Sequence, residues 1–337
     1  MQFKILTVQL VSYLRDSHDQ LALLIGDLLY NMDELHPDLP GSMGMFLNYW
    51  EDAFPLAKRA EEGVRAGRVL QNKGIAYDAV QLLAPVPFPT SYRNAYTFHH
   101  HTVTGSQDGP ARQEFVQYPI FYFGNHHSIQ GAGEVRCLPD HLENLDFQLE
   151  AAIVICKYGR NIRAVHADEY VGGVMIMNEI SAGQLQMGVN SVLARGPGFS
   201  TAIGPVLITP DDLEQFEIPA PENHIGKSWN LPMKCNVNGV QVSEANLGNM
   251  TRTFAELIEY ASYGADLYPG DIIGSGVLDS GCFRQLNQTG KLNNPNYTEQ
   301  WLQPGDSIEM EAGRLGRLTN VIVTEDENRG ILNDKKI

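Results

Sequence analysis

The stretch Leu145-Asp146-Phe147-Gln148-Leu149-Glu150, running straight into the apolar segment Ala151 to Cys156, constrains this chain most. Its alternation predicts a strand with Phe147 and Leu149 on one face and Asp146, Gln148 and Glu150 on the other. One face belongs to a core, and the other is a row of oxygen-bearing side chains. Two such residues at i and i+2 on a rigid strand are one way a protein holds a hard cation. Here one of the two, Gln148, is an amide rather than a carboxylate.

Bulk properties narrow the partners. With 337 residues the chain can bury one large core or two smaller ones, and 43% hydrophobic with 19% charged residues fits a globular protein in water. A formal charge of −16 lacks the basic footprint that phosphate backbones or anionic membranes select, so neither is expected as a partner. Cys137, Cys156, Cys235 and Cys282 are far apart and form no C-x-x-C, which predicts reduced, partly buried thiols. The N-terminus shows no uninterrupted apolar leader with a cleavage site, and no run approaches the roughly 18 apolar residues of a membrane helix. A cytoplasmic location is therefore expected, with the sequons at Asn249, Asn287 and Asn296 arising by chance.

Along the chain, residues 1–84 mix short strands and helices, with a surface helix from Trp50 to Leu70 and no evident chemistry. Three prolines in Pro85-Val86-Pro87-Phe88-Pro89 mark a linker or domain edge. Beyond it the chain becomes β-rich. Tyr118 to Phe123, Ala151 to Cys156, Gly172 to Met177, Pro205 to Thr209 and Val237 to Val242 have strand-like composition, and Ser307 to Ala312 with Arg317 to Val323 predict a hairpin. Thr253 and Glu256 predict a capping box for a helix that buries Phe254, Leu257, Ile258 and Ala261 and ends near Gly264.

Several local patterns could carry chemistry. Gly274-Ser275-Gly276-Val277 lacks the G-K-[ST] of a phosphate loop and predicts a turn lining a pocket. His99-His100-His101 cannot all face one point, so at most one or two act together, and His126-His127 alone predicts a polar surface. Glu179 ends the apolar run Val174 to Asn178, where a charge must be paired, solvated or metal-bound.

Taken in order, these pieces resemble the fumarylacetoacetate hydrolase family. The motifs are Leu83 to Pro87, Ser91-Tyr92-Arg93-Asn94-Ala95-Tyr96, Phe121 to His126, Leu145 to Glu150 and Met177-Asn178-Glu179. Phe199 to Pro205, Leu267 to Gly276 and Trp301 to Asp306 complete the set. The resemblance implies a mixed β-rich α+β fold. A β-roll catalytic domain over residues 85–330 would follow a smaller N-terminal α/β subdomain over 1–84, and the chain would form a homodimer. It also implies a small-molecule substrate, an oxo, enol or 1,3-dicarbonyl compound, and Mg²⁺, Mn²⁺ or Ca²⁺ as cofactor.

Carried over position by position, the resemblance implies His101, Glu150 and Glu179 as catalytic groups and Tyr96, Tyr122, Gln186 and Val277 as substrate contacts. The metal ligands would be Glu150, Glu179, Gln148 and Asn94. The sequence departs from the family at several of these places. Asn94 and Gln148 replace carboxylates, Gly183 replaces an arginine, Pro197 a lysine and Val277 a threonine, and Glu179 replaces an aspartate. Metal binding is therefore expected to be weak or absent, because two carboxylates remain where four are usual. Three readings stay open: a hydrolase or lyase of this family with non-standard chemistry, including decarboxylation, isomerisation or cyclisation; a conventional acylpyruvate or fumarylacetoacetate hydrolase; and a non-catalytic dimeric scaffold with a degenerate pocket.

Overall fold

The computed structural model describes residues 8–68, 74–98, 118–183 and 198–326. Its centre is a large mixed sheet. The strands used below are β1 (Gln9–Arg15), β2 (His18–Ile25), β3 (Leu28–Asn31), β4 (Ser91–Ala95), β5 (Phe121–Phe123), β6 (Gly133–Cys137), β7 (Leu149–Ile155) and β8 (Val171–Ala182). They continue with β9 (Ser200–Ile208), β10 (Pro232–Val237), β11 (Val240–Asn246), β12 (Asp271–Gly274), β13 (Ser307–Glu311) and β14 (Arg317–Thr324). Among these strands the order in the large sheet is β3-β2-β1-β9-β8-β7-β12-β4-β5, with the short strand Ile75–Ala76 pairing outside β3, and β11-β10-β13-β14-β6 form a second sheet. The strands of the N-terminal region thus join the large sheet through β1, which pairs with β9 at Gln9↔Ile208 and Leu10↔Leu207.

The central strands are apolar because both of their faces are covered. Every residue of β7, β8 and β9 is buried. Ala151, Ile153 and Ile155 of β7 pack into a core shared with the second sheet and the helix α2 (Phe254–Ala261). Ala152, Val154 and Cys156 point the other way, into a core roofed by the helix α1 (Trp50–Arg65). The two-residue periodicity of a strand therefore assigns alternate residues to two different cores.

Several expectations hold. Helix α2 has its capping box on Thr253 and Glu256, Gly264 follows it at φ +68°, and β13 and β14 pair antiparallel. All four cysteines are buried and unpaired. Others need correction. Val237 to Val242 is not one strand. Asn238 (φ 52°) and Gly239 (φ 77°) form a tight turn between β10 and β11, the Asn-Gly signal of a hairpin. Glu179 does not end its strand, because β8 runs on to Ala182. Of Tyr118 to Phe123, only Phe121–Phe123 is strand.

Asp146 also departs from the expected row. It accepts hydrogen bonds from the backbone N–H groups of Phe283 (2.8 Å) and Arg284 (2.9 Å), capping the helix α3 (Phe283–Asn293) from another part of the chain. Those N–H groups have no partner within the helix, so the carboxyl supplies what the local sequence lacks. Asp146→Ala is expected to lower stability by about 1–3 kcal/mol, read as a shift in the urea midpoint with unchanged slope. An unchanged midpoint would show that water replaces the cap.

Candidate active site

The site lies where the α1-side core gives way to polar side chains. On that face Tyr92 and Asn94 follow one another on β4, Met177 and Glu179 on β8, and Glu150 and Ala152 on β7. Stepping two residues along each strand moves from apolar packing to an oxygen or an amide. Glu150 is fully buried and Glu179 is 5% exposed.

Asn94 bridges the two carboxyls. Its Nδ2 donates to Glu150 Oε2 at 2.8 Å and to Glu179 Oε2 at 3.3 Å, and lies 2.9 Å from the Tyr122 hydroxyl. Its Oδ1 accepts from the Gly276 backbone N–H at 2.9 Å. Two glycines make room for this arrangement. A Cβ on Gly274 would stand 2.3 Å from Asn94 Oδ1, and one on Gly276, itself at φ +80°, would stand 2.2 Å from the Ala95 carbonyl oxygen. Gly274, the last residue of β12, thus admits the Asn94 amide, and Gly276 admits the Ala95 carbonyl.

Further donors complete the cluster. Tyr92 donates its hydroxyl to Glu179 Oε1 at 3.1 Å, and Tyr122 donates to Glu179 Oε2. In the orientation that satisfies both ends of its amide, Gln148 donates from Nε2 to Glu150 Oε1 (3.0 Å) and Glu179 Oε2 (3.1 Å) and accepts from Ser181 Oγ (3.3 Å). Behind it, the Gln148 backbone N–H donates to Asn178 Oδ1 at 3.3 Å, and Asn178 Nδ2 donates to Asn320 Oδ1 of β14 at 3.2 Å. This buried ladder ties the site to the second sheet.

Burial governs the electrostatics. It raises the Glu150 carboxyl to about 8 against partial relief from Asn94 and the Gly276 N–H, and raises Glu179 to about 7 against relief from Tyr92 and Asn94. Burial, reinforced by the two glutamates, holds the Tyr92 hydroxyl well above its ordinary value, so it remains a donor. The cluster is a pair of carboxyls poised to exchange a proton near neutrality.

The structure therefore brings together Asn94, Gln148, Glu150, Glu179 and Tyr122. Tyr96 stands beside them, its ring 5.9 Å from that of Tyr122, and both residues are partly exposed. Val277 is buried directly after Gly276. His101 and Gln186 lie outside the described residues. Gly183 does not open on the pocket: a Cβ there would lie 2.8 Å from both the Cβ and the carbonyl oxygen of Asn144. Tyr92 was not expected, although its i, i+2 spacing to Asn94 on a strand places both on one face.

The chemistry of these donors bears on the implied cation. Hard divalent ions take oxygen ligands. Here the Asn94 amide presents nitrogen to the carboxylates, and its oxygen is held by Gly276. Among the described residues no group of three or more His, Cys, Asp or Glu is arranged to hold a metal. Asn94, with its oxygen on the Gly276 N–H and its nitrogen on both glutamates, does not fit as an oxygen ligand to a divalent ion.

The chain has a mixed sheet-rich α+β fold with two buried carboxyls at the edge of its core. Residues 91–323 match the family model described as fumarylacetoacetate (FAA) hydrolase C-terminal, and the chain belongs to the fumarylacetoacetate hydrolase family. It is 28% identical over 314 residues to the mitochondrial oxaloacetate tautomerase Fahd2a of Rattus norvegicus, covering 92% of this chain and 89% of that protein. The mitochondrial oxaloacetate tautomerase FAHD2A of Homo sapiens is 28% identical over 302 residues, covering 88% and 85%.

Among solved structures, fumarylacetoacetate hydrolase from Exiguobacterium antarcticum matches with TM-score 0.68 at 21% identity, covering 94% of this chain and 100% of that one. Maleylpyruvate hydrolase from Sphingobium sp. SYK-6, in complex with manganese(II) and pyruvate, matches with TM-score 0.66 at 19% identity over 94% and 100%. At these identities the structures establish the fold. No described helix is long and apolar enough to cross a membrane.

The raised carboxyls give a pH signature. Glu150 goes from an ordinary 4.5 to about 8 in the folded chain. Between these values the folded state keeps a proton that the unfolded chain has released, so stability falls as pH rises and the loss is complete above about 8. Glu150→Gln removes this slope, so its stability relative to the parent should rise with pH across that window in urea titrations. A difference that stays constant with pH would contradict the assignment.

Proposed function

We propose that this chain is an enzyme that interconverts the keto and enol forms of an oxo acid or a related 1,3-dicarbonyl compound, with Glu179 as the proton acceptor. One observation carries the reading: two buried carboxyls share the Asn94 amide at 2.8 and 3.3 Å, with the Tyr122 hydroxyl on the same Glu179 oxygen. The names of the relatives at 28% identity, oxaloacetate tautomerases, support the substrate class and make oxaloacetate the first compound to assay.

The steps need only groups in the cluster. Glu179 takes a proton from the carbon beside the carbonyl, and the C–H electron pair becomes the C=C bond of the enol. The carbonyl oxygen takes a proton from the Tyr122 hydroxyl, and Tyr122 recovers one from Glu179, to which it is already hydrogen-bonded. Nothing is consumed, and the net change is one C–H broken and one O–H formed. Glu150, with the higher affinity for its proton, stays protonated and spares Glu179 a buried negative neighbour. Cleavage of a C–C bond would also need a group that makes hydroxide, and the residue the family pattern offers, His101, lies outside the described residues.

Ketonisation of enol oxaloacetate, followed by its ultraviolet absorbance, should run faster with the protein than in buffer. Glu179→Gln should slow it by about 100-fold to 10,000-fold. No acceleration by the parent protein overturns the reaction, and a Glu179→Gln variant as fast as the parent overturns the acceptor. We further propose a homodimer, supported by the exposed aromatics Tyr118, Phe123 and Tyr260 beside the edge strand β5. A monomer mass in light scattering would overturn it.

A further inference from the structure

We propose that the carboxamides of Asn94 and Gln148 take the place of a divalent cation, so that the pocket of this chain is metal-independent and becomes a cation site when those two amides are changed to acids. Asn94 cannot turn its oxygen inward without setting Nδ2 against the Gly276 N–H and Oδ1 against two carboxyl oxygens. The absence of a side chain on Gly274 leaves room for the Asn94 amide, whose oxygen would lie 2.3 Å from a Cβ there. The Gln148 amide lies within hydrogen-bond reach of Glu150, Glu179 and Ser181, and all three are satisfied when its nitrogen faces the glutamates.

Each amide thus offers N–H donors where a cation would offer charge. The two together reach three of the four carboxyl oxygens of Glu150 and Glu179, and Tyr92 reaches the fourth. Asn94→Asp keeps one oxygen on the Gly276 N–H and turns the other inward, and Gln148→Glu does the same beside Ser181. Those changes convert two inward donors into two inward acceptors on an unchanged backbone. The inference does not depend on which reaction the pocket runs, so it and the tautomerase reading can fail separately.

The test is calorimetric titration of the full chain with Mn²⁺ as the probe. The parent should show no saturable binding up to roughly 1 mM, and Asn94→Asp/Gln148→Glu should bind at least about 100-fold more tightly, since carboxylate number sets divalent affinity. Tight parent binding that disappears in Glu150→Gln/Glu179→Gln overturns the proposal, as does a folded Asn94→Asp/Gln148→Glu variant with no gain. Parent binding that survives Glu150→Gln/Glu179→Gln lies elsewhere and agrees with it. Should the acidic variant fail to fold, the parent and Glu150→Gln/Glu179→Gln titrations still decide.

Discussion

The hydrogen bond from the Gly276 backbone to Asn94 Oδ1 fixes which way an uncharged side chain faces two buried acids. Had the amide been reversed, carboxyl oxygens would confront a third oxygen in a buried space, and burying such unmatched acceptors costs about 1–3 kcal/mol each or more. With nitrogen inward, one donor group serves Glu150 and Glu179 at once. The bridging of the two carboxyls and the mismatch of the Asn94 oxygen to a hard cation follow from that orientation, whereas their raised proton affinity follows from burial. Gly274 and Gly276 are the backbone condition for it, since a side chain at either place would collide with Asn94 or with the Ala95 carbonyl.

The fold supplies a rigid frame for this cluster. Strands β7, β8 and β9 are buried on both faces, so a shift of register by one residue would send Glu150 and Glu179 into one core and withdraw Ala151 and Ile180 from it. The Asn178–Asn320 contact fastens the site strands to the second sheet, while α1 closes the opposite core beneath Tyr92 and Met177. Carboxyls held this firmly cannot swing out to solvent, and their only relief is a hydrogen bond or a proton.

Much of this was legible in the residues. The alternation at Leu145 to Glu150 placed Gln148 and Glu150 opposite Phe147 and Leu149, although the expected strand is interrupted at Phe147 and Gln148, between Leu145–Asp146 and Leu149–Ile155, and Thr253 with Glu256 announced α2. What remained hidden depends on partners distant in the chain. Asp146 shares the parity of Glu150, yet the unpaired N–H groups of Phe283 and Arg284 claim it, 137 and 138 residues away. The joining of β1 to β9 is likewise a pairing across the chain that no local signal marks. The sequence read Asn94 as a weakened ligand, because orientation is set by Gly276, 182 residues on. The Asn238-Gly239 turn, by contrast, was a local signal with a known meaning.

The central claim is that Glu150 and Glu179 form a buried acid–base pair active near neutral pH. Carbon NMR of the full chain labelled at the glutamate side-chain carboxyls, assigned with Glu150→Gln and Glu179→Gln, tests it directly. The account predicts two resonances titrating at about 8 and about 7, both perturbed together by Asn94→Leu. Titration of both near the ordinary value of 4.5, or indifference to Asn94→Leu, would contradict it.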